Sequence, residues 1–276
     1  MADLKQLFTK PRLAIAVVHL LPLPGSPEYG GNLERVIERA TEEARMLEAA
    51  GFGALIVENF GDLPFLKDNV PAETVASMAI VAREVTRTVS VPVGINVLRN
   101  DYRAALAVAA TGGCKFIRLN VLVGGYVTTE GIIEGRPGEV HRLRRALDPD
   151  LLVFADVMVK HAYRIGRVDI CDDALDVAER GKADCLIITG PRTGSPPAGE
   201  DLKRVRAVLE DNGIRIPLLV GSGLTPANAE NFLKLSDGFI VSSYLRRDGI
   251  AGEGLDPERL KEFKKVLEEV SKEKWA

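Results

Sequence analysis

Short apolar runs rich in Val, Ile and Leu recur along the chain and alternate with segments of helical period. The runs are Leu13–His19, Ala54–Glu58, Pro92–Asn96, Lys115–Asn120, Leu152–Asp156, Cys185–Thr189, Leu218–Gly221 and Gly238–Val241. They are nearly continuous rather than alternating, the pattern of parallel strands covered on both faces. Asn32 can cap a first helix whose Val36, Ile37, Ala40, Ala44 and Leu47 form one apolar stripe. Pro71 suits the first turn of the next, with Val75, Met78, Ala79 and Ala82 inward, and Asp101 can cap a third. Thr225-Pro226 and Asp256-Pro257 each read as an N-cap followed by proline at the first helical position. The last helix, over 256–273, turns Leu260, Phe263, Leu267 and Val270 inward.

Eight strand–helix units with no linker between them predict one α/β domain, a (β/α)8 TIM barrel spanning 1–276 and closed by the last helix. Loop lengths agree. The stretches after helices are short, whereas those after strands are long: 59–70, 121–134, 157–170, 190–199 and 243–255. In a barrel all post-strand loops share one face, where binding sites are built. An open doubly wound sheet would need a glycine-rich turn after its first strand, and Leu20-Leu21-Pro22-Leu23-Pro24-Gly25 has no GxGxxG.

Size and composition fit this reading. The chain has 276 residues, close to the ~250 of a typical barrel. A net charge of −3 gives no global electrostatic reason to bind nucleic acid. Cys114, Cys171 and Cys185 stand far apart with no CxxC, which fits a reduced, cytoplasmic setting. His19, His141 and His161 form no metalloprotease spacing. The first residues lack a signal-peptide pattern, and no apolar run is long enough to span a membrane. Gln6 is the sole glutamine, a hint of a thermophilic source.

Every strand ends in a hydrogen-bonding residue: His19, Glu58 with Asn59, Asn96, Arg118 with Asn120, Asp156, Thr189, Ser222, and Ser242 with Ser243. Gathered on one face, these make a concave polar site. Glu58 and Asp156 are the acid/base candidates, since partial desolvation raises a carboxylate pKa. Each could instead neutralise Arg118, which would be buried in the barrel and need a carboxylate. Lys160 could bind phosphate, polarise a carbonyl or form a Schiff base, although lysines of the last kind more often sit on the strand itself. It could also be a solvated loop residue, as could His161, otherwise a general acid or base. His19 could serve as general acid, phosphate donor or satisfied core histidine.

A phosphate site is expected from three loops. They are Thr189-Gly190-Pro191-Arg192-Thr193-Gly194-Ser195, then Gly221-Ser222-Gly223, then Ser242-Ser243. Glycines let backbone N–H groups approach an anion, and hydroxyls add donors. The helix start at Thr225-Pro226 could add its dipole. Phe60 and Phe65 flank Asp62 in a loop that could form a lid or a ring-stacking wall, and Gly124-Gly125-Tyr126 reads as a similarly mobile loop. Glu58, Asp62, Asp156 and His19 could supply ligands to a divalent metal such as Mg2+, but no spacing demands one.

His19-Leu20-x-Pro22-Leu23-Pro24-Gly25-Ser26, Glu58-Asn59-Phe60-Gly61-Asp62-x-Pro64-Phe65, Asp156-Val157-x-x-Lys160-His161, Thr189-Gly190 with Thr193-Gly194, and Gly221-Ser222-Gly223 together resemble the BtpA/SgcQ family. The resemblance covers nearly the whole chain and implies a ribulose-phosphate-binding-type barrel. The family takes its name from a cyanobacterial protein linked to photosystem I biogenesis at the thylakoid membrane. Its relatives occur in archaea and non-photosynthetic bacteria, so that role cannot be general to it.

The sequence therefore leads to an enzyme acting on a small phosphorylated metabolite, a sugar phosphate or nucleotide-like compound. Phosphate would sit on the last three loops, while Glu58 or Asp156 moves a proton and His19 or Lys160 stabilises developing charge. Isomerisation, carbon–carbon cleavage and glycosyl transfer or hydrolysis all remain open. The rival is a non-catalytic assembly factor peripheral to a membrane complex, which predicts an exposed apolar patch and a degraded polar site. Barrels of this size often pair, which leaves a homo-oligomer open.

Overall fold

A computed structural model describes residues 7–8, 12–166, 168–190, 192 and 194–271. Eight parallel strands close into a barrel: β1 (Leu13–His19), β2 (Ala54–Glu58), β3 (Val93–Asn96), β4 (Phe116–Leu119), β7 (Leu152–Val157), β9 (Cys185–Ile188), β10 (Leu218–Val220) and β11 (Gly238–Val241). β1 and β11 pair in register Leu13↔Gly238 through Ala16↔Val241, which seals the ring. The expected strands all form, with ends moved by one or two residues at most.

Strand alternation sorts the side chains into two cores. Leu13, Ile15, Val17, Ala54, Ile56, Phe116, Leu152, Phe154, Cys185, Ile187, Leu219 and Ile240 pack inside the barrel. Their neighbours, such as Val18, Val57, Ile95, Val153 and Val220, face the helices. Phe116 stacks on Phe154 with centroids 4.6 Å apart. Gly94 makes room for that ring, because a Cβ there would lie 2.2 Å from Phe116. Leu7 and Phe8 pack against the same interior cluster.

The helices are α1 (Leu33–Ala50), α2 (Ala72–Thr88), α3 (Tyr102–Gly112), α4 (Pro137–Leu147), α5 (Ile170–Leu175, continued by a π turn over Asp176–Arg180), α6 (Gly199–Asp211), α7 (Ala229–Leu233) and α8 (Pro257–Ser271). Asn32 and Asp101 cap α1 and α3 as expected, accepting from Arg35 N and Ala104 N. Asp256 accepts from the N–H groups of Glu258 and Arg259 at the start of α8. The Thr225 cap is not formed by its hydroxyl. Asn228 Oδ1 instead takes the Thr225 N–H at 2.8 Å, and α7 starts only at Ala229.

The loops after β4 and β7 pair with one another, and Gly125-Tyr126 of the expected loop belongs to a strand. β5 (Gly125–Thr128), β6 (Gly131–Glu134) and β8 (Ala162–Arg164) make an antiparallel sheet in the order β6-β5-β8. Its inner face, with Tyr126 and Ile133, buries Val121 and Val159. Its outer face leaves Val127, Ile132 and Tyr163 exposed in cross-strand register, Tyr163 by 82%.

Candidate functional site

The two-residue step that lines the barrel interior continues one place further at every strand end. It lands on His19, Glu58, Asn96, Arg118, Asp156, Thr189, Gly221 and Ser242. His19, Glu58 and Asn96 are consecutive partners across β1, β2 and β3. The predicted polar ring is therefore the top layer of the barrel interior. A cavity of about 230 Å³ opens above it, lined by His19, Glu58, Arg118, Lys160, Gly194, Gly221, Ser222, Gly223, Ser242 and Ser243 from the predicted set. Val17 and Ile240 also line it, and Phe60, Thr225, Tyr244 and Arg259 contribute to its wall.

Arg118 and Asp156 form a buried two-pronged pair, Nε to Oδ1 at 2.9 Å and Nη2 to Oδ2 at 3.0 Å. Asn120, two residues along the same strand face, donates to Oδ2 at 3.0 Å. Asp156 is thus enclosed beneath Arg118 and reaches no cavity wall, which is the ion-pair alternative for this carboxylate. Burial alone would lower the Arg118 pKa, but Asp156, with Glu58, more than offsets it and the net shift is upward. Asn96 donates to the Arg118 carbonyl at 3.1 Å, and its own Oδ1 is buried without a partner.

Glu58 faces the cavity. His19 Nε2 lies 3.6 Å from its Oε1. Burial raises its pKa, countered in part by Arg118 and Lys160. His19 is held on three sides. The Gly252 N–H donates to Nδ1 at 3.0 Å, Ser242 Oγ lies 3.0 Å from Nε2, and Phe60 stacks on the ring at 4.3 Å. An Nδ1 that accepts a backbone N–H carries no proton, so the neutral ring is the Nε2–H tautomer. Burial, then the charges of Arg246, Lys160 and Arg39, hold its pKa well below the usual histidine range. His19 is therefore a neutral donor beside a carboxylate.

The loops after β9 and β10 meet at close range. A Cβ at Gly223 would lie 2.1 Å from Pro196 N, and one at Gly190 2.2 Å from the Ser195 carbonyl oxygen. Ser222 Oγ bridges the two loops, accepting from Gly190 N at 3.1 Å and donating to Ser195 O at 2.8 Å. The Gly190 N–H and the Ser222 hydroxyl are consequently occupied, contrary to their expected role as anion donors. The N–H groups of Ser222, Gly223 and Ser243 have no backbone partner among the described residues. Thr189 Oγ1 is buried without a partner, and Thr193 lies outside the described residues.

Other predicted residues do not join the cavity wall. Asn59 is fully buried and clamps Leu98, accepting from its N–H at 2.7 Å and donating to its carbonyl at 3.1 Å. Asp62 accepts from Leu23 N and Asn59 Nδ2. Burial raises its pKa against those two hydrogen bonds. Both residues fix the loop that carries Phe60. His161 is exposed beside Lys160. Among the described residues, no three His, Cys, Asp or Glu side chains come together as a metal-binding group.

Two buried arginines escaped the sequence reading. Arg246 has no exposed surface and donates to Glu43 Oε2 at 2.6 Å, Val17 O at 2.7 Å and Glu253 O at 3.0 Å. It pins the loop after β11, whose Gly252 touches His19. Arg99 donates to Glu130 Oε2 at 3.0 Å and to the Lys160 carbonyl at 2.9 Å. Neither carries a local motif; each is one charge in a polar stretch, matched only by distant sequence.

Fold and site define a closed (β/α)8 barrel whose polar groups gather at the C-terminal ends of its strands. Solved structures of low sequence identity share that fold. Phosphoribosyl anthranilate isomerase from Thermus thermophilus superposes with a TM-score of 0.57 at 15% identity, covering 94% of this chain and 100% of that one. The N-(5'-phosphoribosyl)anthranilate isomerase from Pyrococcus furiosus gives 0.53 at 17%, with 93% and 99% covered. The chain itself belongs to the BtpA family, whose sequence model matches residues 10–269. It is 44% identical over 273 residues to the photosystem I biogenesis protein BtpA of a Synechocystis strain, covering 99% of this chain and 93% of that protein. A functionally unnamed Archaeoglobus fulgidus relative is 46% identical over 250 residues, covering 91% of this chain and 96% of its own length.

Proposed function

We propose that this protein is an enzyme that moves a proton on, or cleaves a bond in, a small phosphorylated metabolite of the sugar-phosphate or nucleotide-like class. One observation carries the reading. A single cavity of about 230 Å³ joins Gly221–Gly223 and Ser243 on one side to Glu58, His19 and Lys160 on the other. The first side offers backbone N–H groups and a hydroxyl, the donors that suit a phosphate. The second offers a carboxylate of raised pKa for proton transfer and a neutral imidazole whose Nε2–H lies 3.0 Å from Ser242 Oγ and 3.6 Å from Glu58. Arg259 and Lys160 add positive charge at the cavity wall. The fold shared with phosphoribosyl anthranilate isomerases supports a phosphate on these loops by analogy alone. Mg2+, where it takes part, would enter with the substrate's phosphate, since among the described residues no three His, Cys, Asp or Glu side chains come together to hold it. Three unpaired cysteines support a cytoplasmic setting.

The experiment is thermal stability of the purified chain against phosphorylated sugars and nucleotides, with and without Mg2+. A ligand that binds the folded state raises Tm. A selective rise, lost in Ser243→Asp, supports the reading; no rise with any member overturns it. A second reading, a non-catalytic partner-binding factor, is favoured by the exposed apolar row Val127, Ile132 and Tyr163 and by the name of the Synechocystis relative. Among the described residues no helix is long and apolar enough to cross a membrane, so such a role would be peripheral. Glu58→Gln separates the two: an enzyme loses turnover while folded, and a binding factor keeps its partner.

A further inference from the structure

Lys160 stands at the mouth of the cavity without a direct partner among the described residues. Among the described residues, Lys160 Nζ makes neither a hydrogen bond nor an ion pair, although it lines the cavity with Glu58, Arg118 and His19. The buried arginines nearby are matched: Arg118 by Asp156, Arg99 by Glu130, Arg246 by Glu43. A lysine needed only for its charge would gain by such a pairing.

The backbone that carries Lys160 is built to present it. Met158 and His161 flank Val159-Lys160, and both adopt left-handed φ, 51° and 56°, which residues with bulky side chains rarely do. Two buried groups hold that conformation. Asp173 Oδ2 accepts the Met158 N–H at 3.0 Å, and Arg99 donates to the Lys160 carbonyl at 2.9 Å. Val159 is buried under the three-stranded sheet. An ammonium that is desolvated and set beside another cation yields its proton more easily, the usual means of activating an amine nucleophile. Burial and then Arg118 lower the Lys160 pKa in this way, only partly countered by Glu58.

We propose that Lys160 forms an imine with a carbonyl carbon of the ligand, which makes the substrate class a phosphorylated aldehyde or ketone. This rests on the phosphate reading above, which supplies the other anchor. The neutral amine forms an N–C bond while the carbonyl π pair moves to oxygen. A proton passes from nitrogen to that oxygen, giving a carbinolamine. Protonated Glu58 then donates to the hydroxyl, the C–O bond breaks, water leaves and a protonated imine remains opposite a Glu58 carboxylate. That carboxylate is then the base for a C–H next to the imine carbon, or the acceptor of a hydroxyl proton in carbon–carbon cleavage.

The test does not require the substrate. Formaldehyde is the smallest carbonyl, and reductive methylation with formaldehyde and a borane, followed by peptide mass analysis, ranks every lysine by its rate of imine formation. Lys160 should label several-fold faster than the exposed Lys67 and Lys234, and inorganic phosphate should slow it. Lys160→Arg should keep the Tm of the unliganded chain, which separates loss of the amine from loss of the fold. Lys160 labelling no faster than Lys67 and Lys234, while phosphate still raises Tm, overturns the imine and leaves the phosphate site standing. Fast labelling with no phosphate effect on Tm keeps the nucleophile and removes the phosphate from the substrate class.

Discussion

The two halves of the barrel mouth are made of different chemistry. The barrel strands β1 to β4 and β7 end in charge and strong donors: His19, Glu58, Asn96, Arg118 and Asp156. Strands β9 to β11 end in Thr189, Gly221 and Ser242, with no charge among them. In the first half, side chains hold one another, so its geometry depends on complete pairing. In the second, glycines hold backbones close, so its geometry depends on the absence of side chains. An anionic ligand bridging the halves would meet fixed amide dipoles on one side and Lys160 on the other. On the proposed function, the first half is where charge would change and the second is where a ligand would be held.

The comparison is broken most severely by removing a charge from the first half. Asp156→Ala leaves Arg118 buried without its carboxylate, which should cost about 3–5 kcal/mol in chemical denaturation. Arg118→Met with Asp156→Leu removes both charges together and should recover most of that loss. A double variant as unstable as Asp156→Ala would show that volume, rather than the unpaired charge, carries the effect. The corresponding lesion in the second half is Gly223→Ala. Its φ of +71° and the Pro196 backbone at 2.1 Å leave no room for a methyl group. About 1–3 kcal/mol from the backbone conformation alone is expected, together with loss of the phosphate-induced Tm rise. Retention of that rise would mean that the loop geometry does not form the anion site.

This division was largely legible in the sequence, for a physical reason. A parallel strand covered on both faces announces itself as an apolar run, and its last inward residue is the first position where a polar group can survive. Hence His19, Glu58, Arg118 and Asp156 stand out in the sequence. What stayed hidden depends on pairing across long sequence separation. Arg246 meets Glu43 from 203 residues away, and each alone reads as a solvated charge. β5 and β8 have four and three residues and pair across an intervening barrel strand, so they look like glycine-bearing loops. Asn59 and Gly190 read as ligand donors in the sequence because spacing says which residues come near a mouth, not whether a neighbour has already taken their hydrogen bonds.

A milder substitution sharpens the contrast. Ser243 lines the cavity and is half-buried. Ser243→Asp should change stability by no more than about 0.5 kcal/mol. It should nonetheless abolish the phosphate-induced rise in Tm, because a carboxylate then occupies the anion's side of the cavity. Ser243→Ala should keep most of the rise. If both variants respond like the native chain, the ligand does not sit on this half.

The smallest effect lies within the charged half, between His19 and Glu58, and its sign is its value. The folded-state pKa of Glu58 is raised, chiefly by burial, so the folded chain binds this proton more tightly than the unfolded chain does. Its contribution to stability is therefore fully present at low pH and falls as pH rises from about 4 through the raised folded value. The folded-state pKa of His19 is lowered, chiefly by burial, so the unfolded chain holds that proton more tightly. Its contribution is present above about pH 6.5 and is lost as pH falls toward the depressed folded value. Glu58→Gln should thus gain on the native chain in Tm as pH rises, and His19→Gln should gain as pH falls. Asp62 and Asp173 have raised pKa values too, but both remain in each variant and cancel in the difference. A constant offset from lost contacts to Ser242 or Gly252 would shift the His19→Gln curve without changing its slope. Parallel slopes for the two variants would mean that the two groups titrate as one unit, and that the neutral donor and the cavity-facing carboxylate are not separate actors.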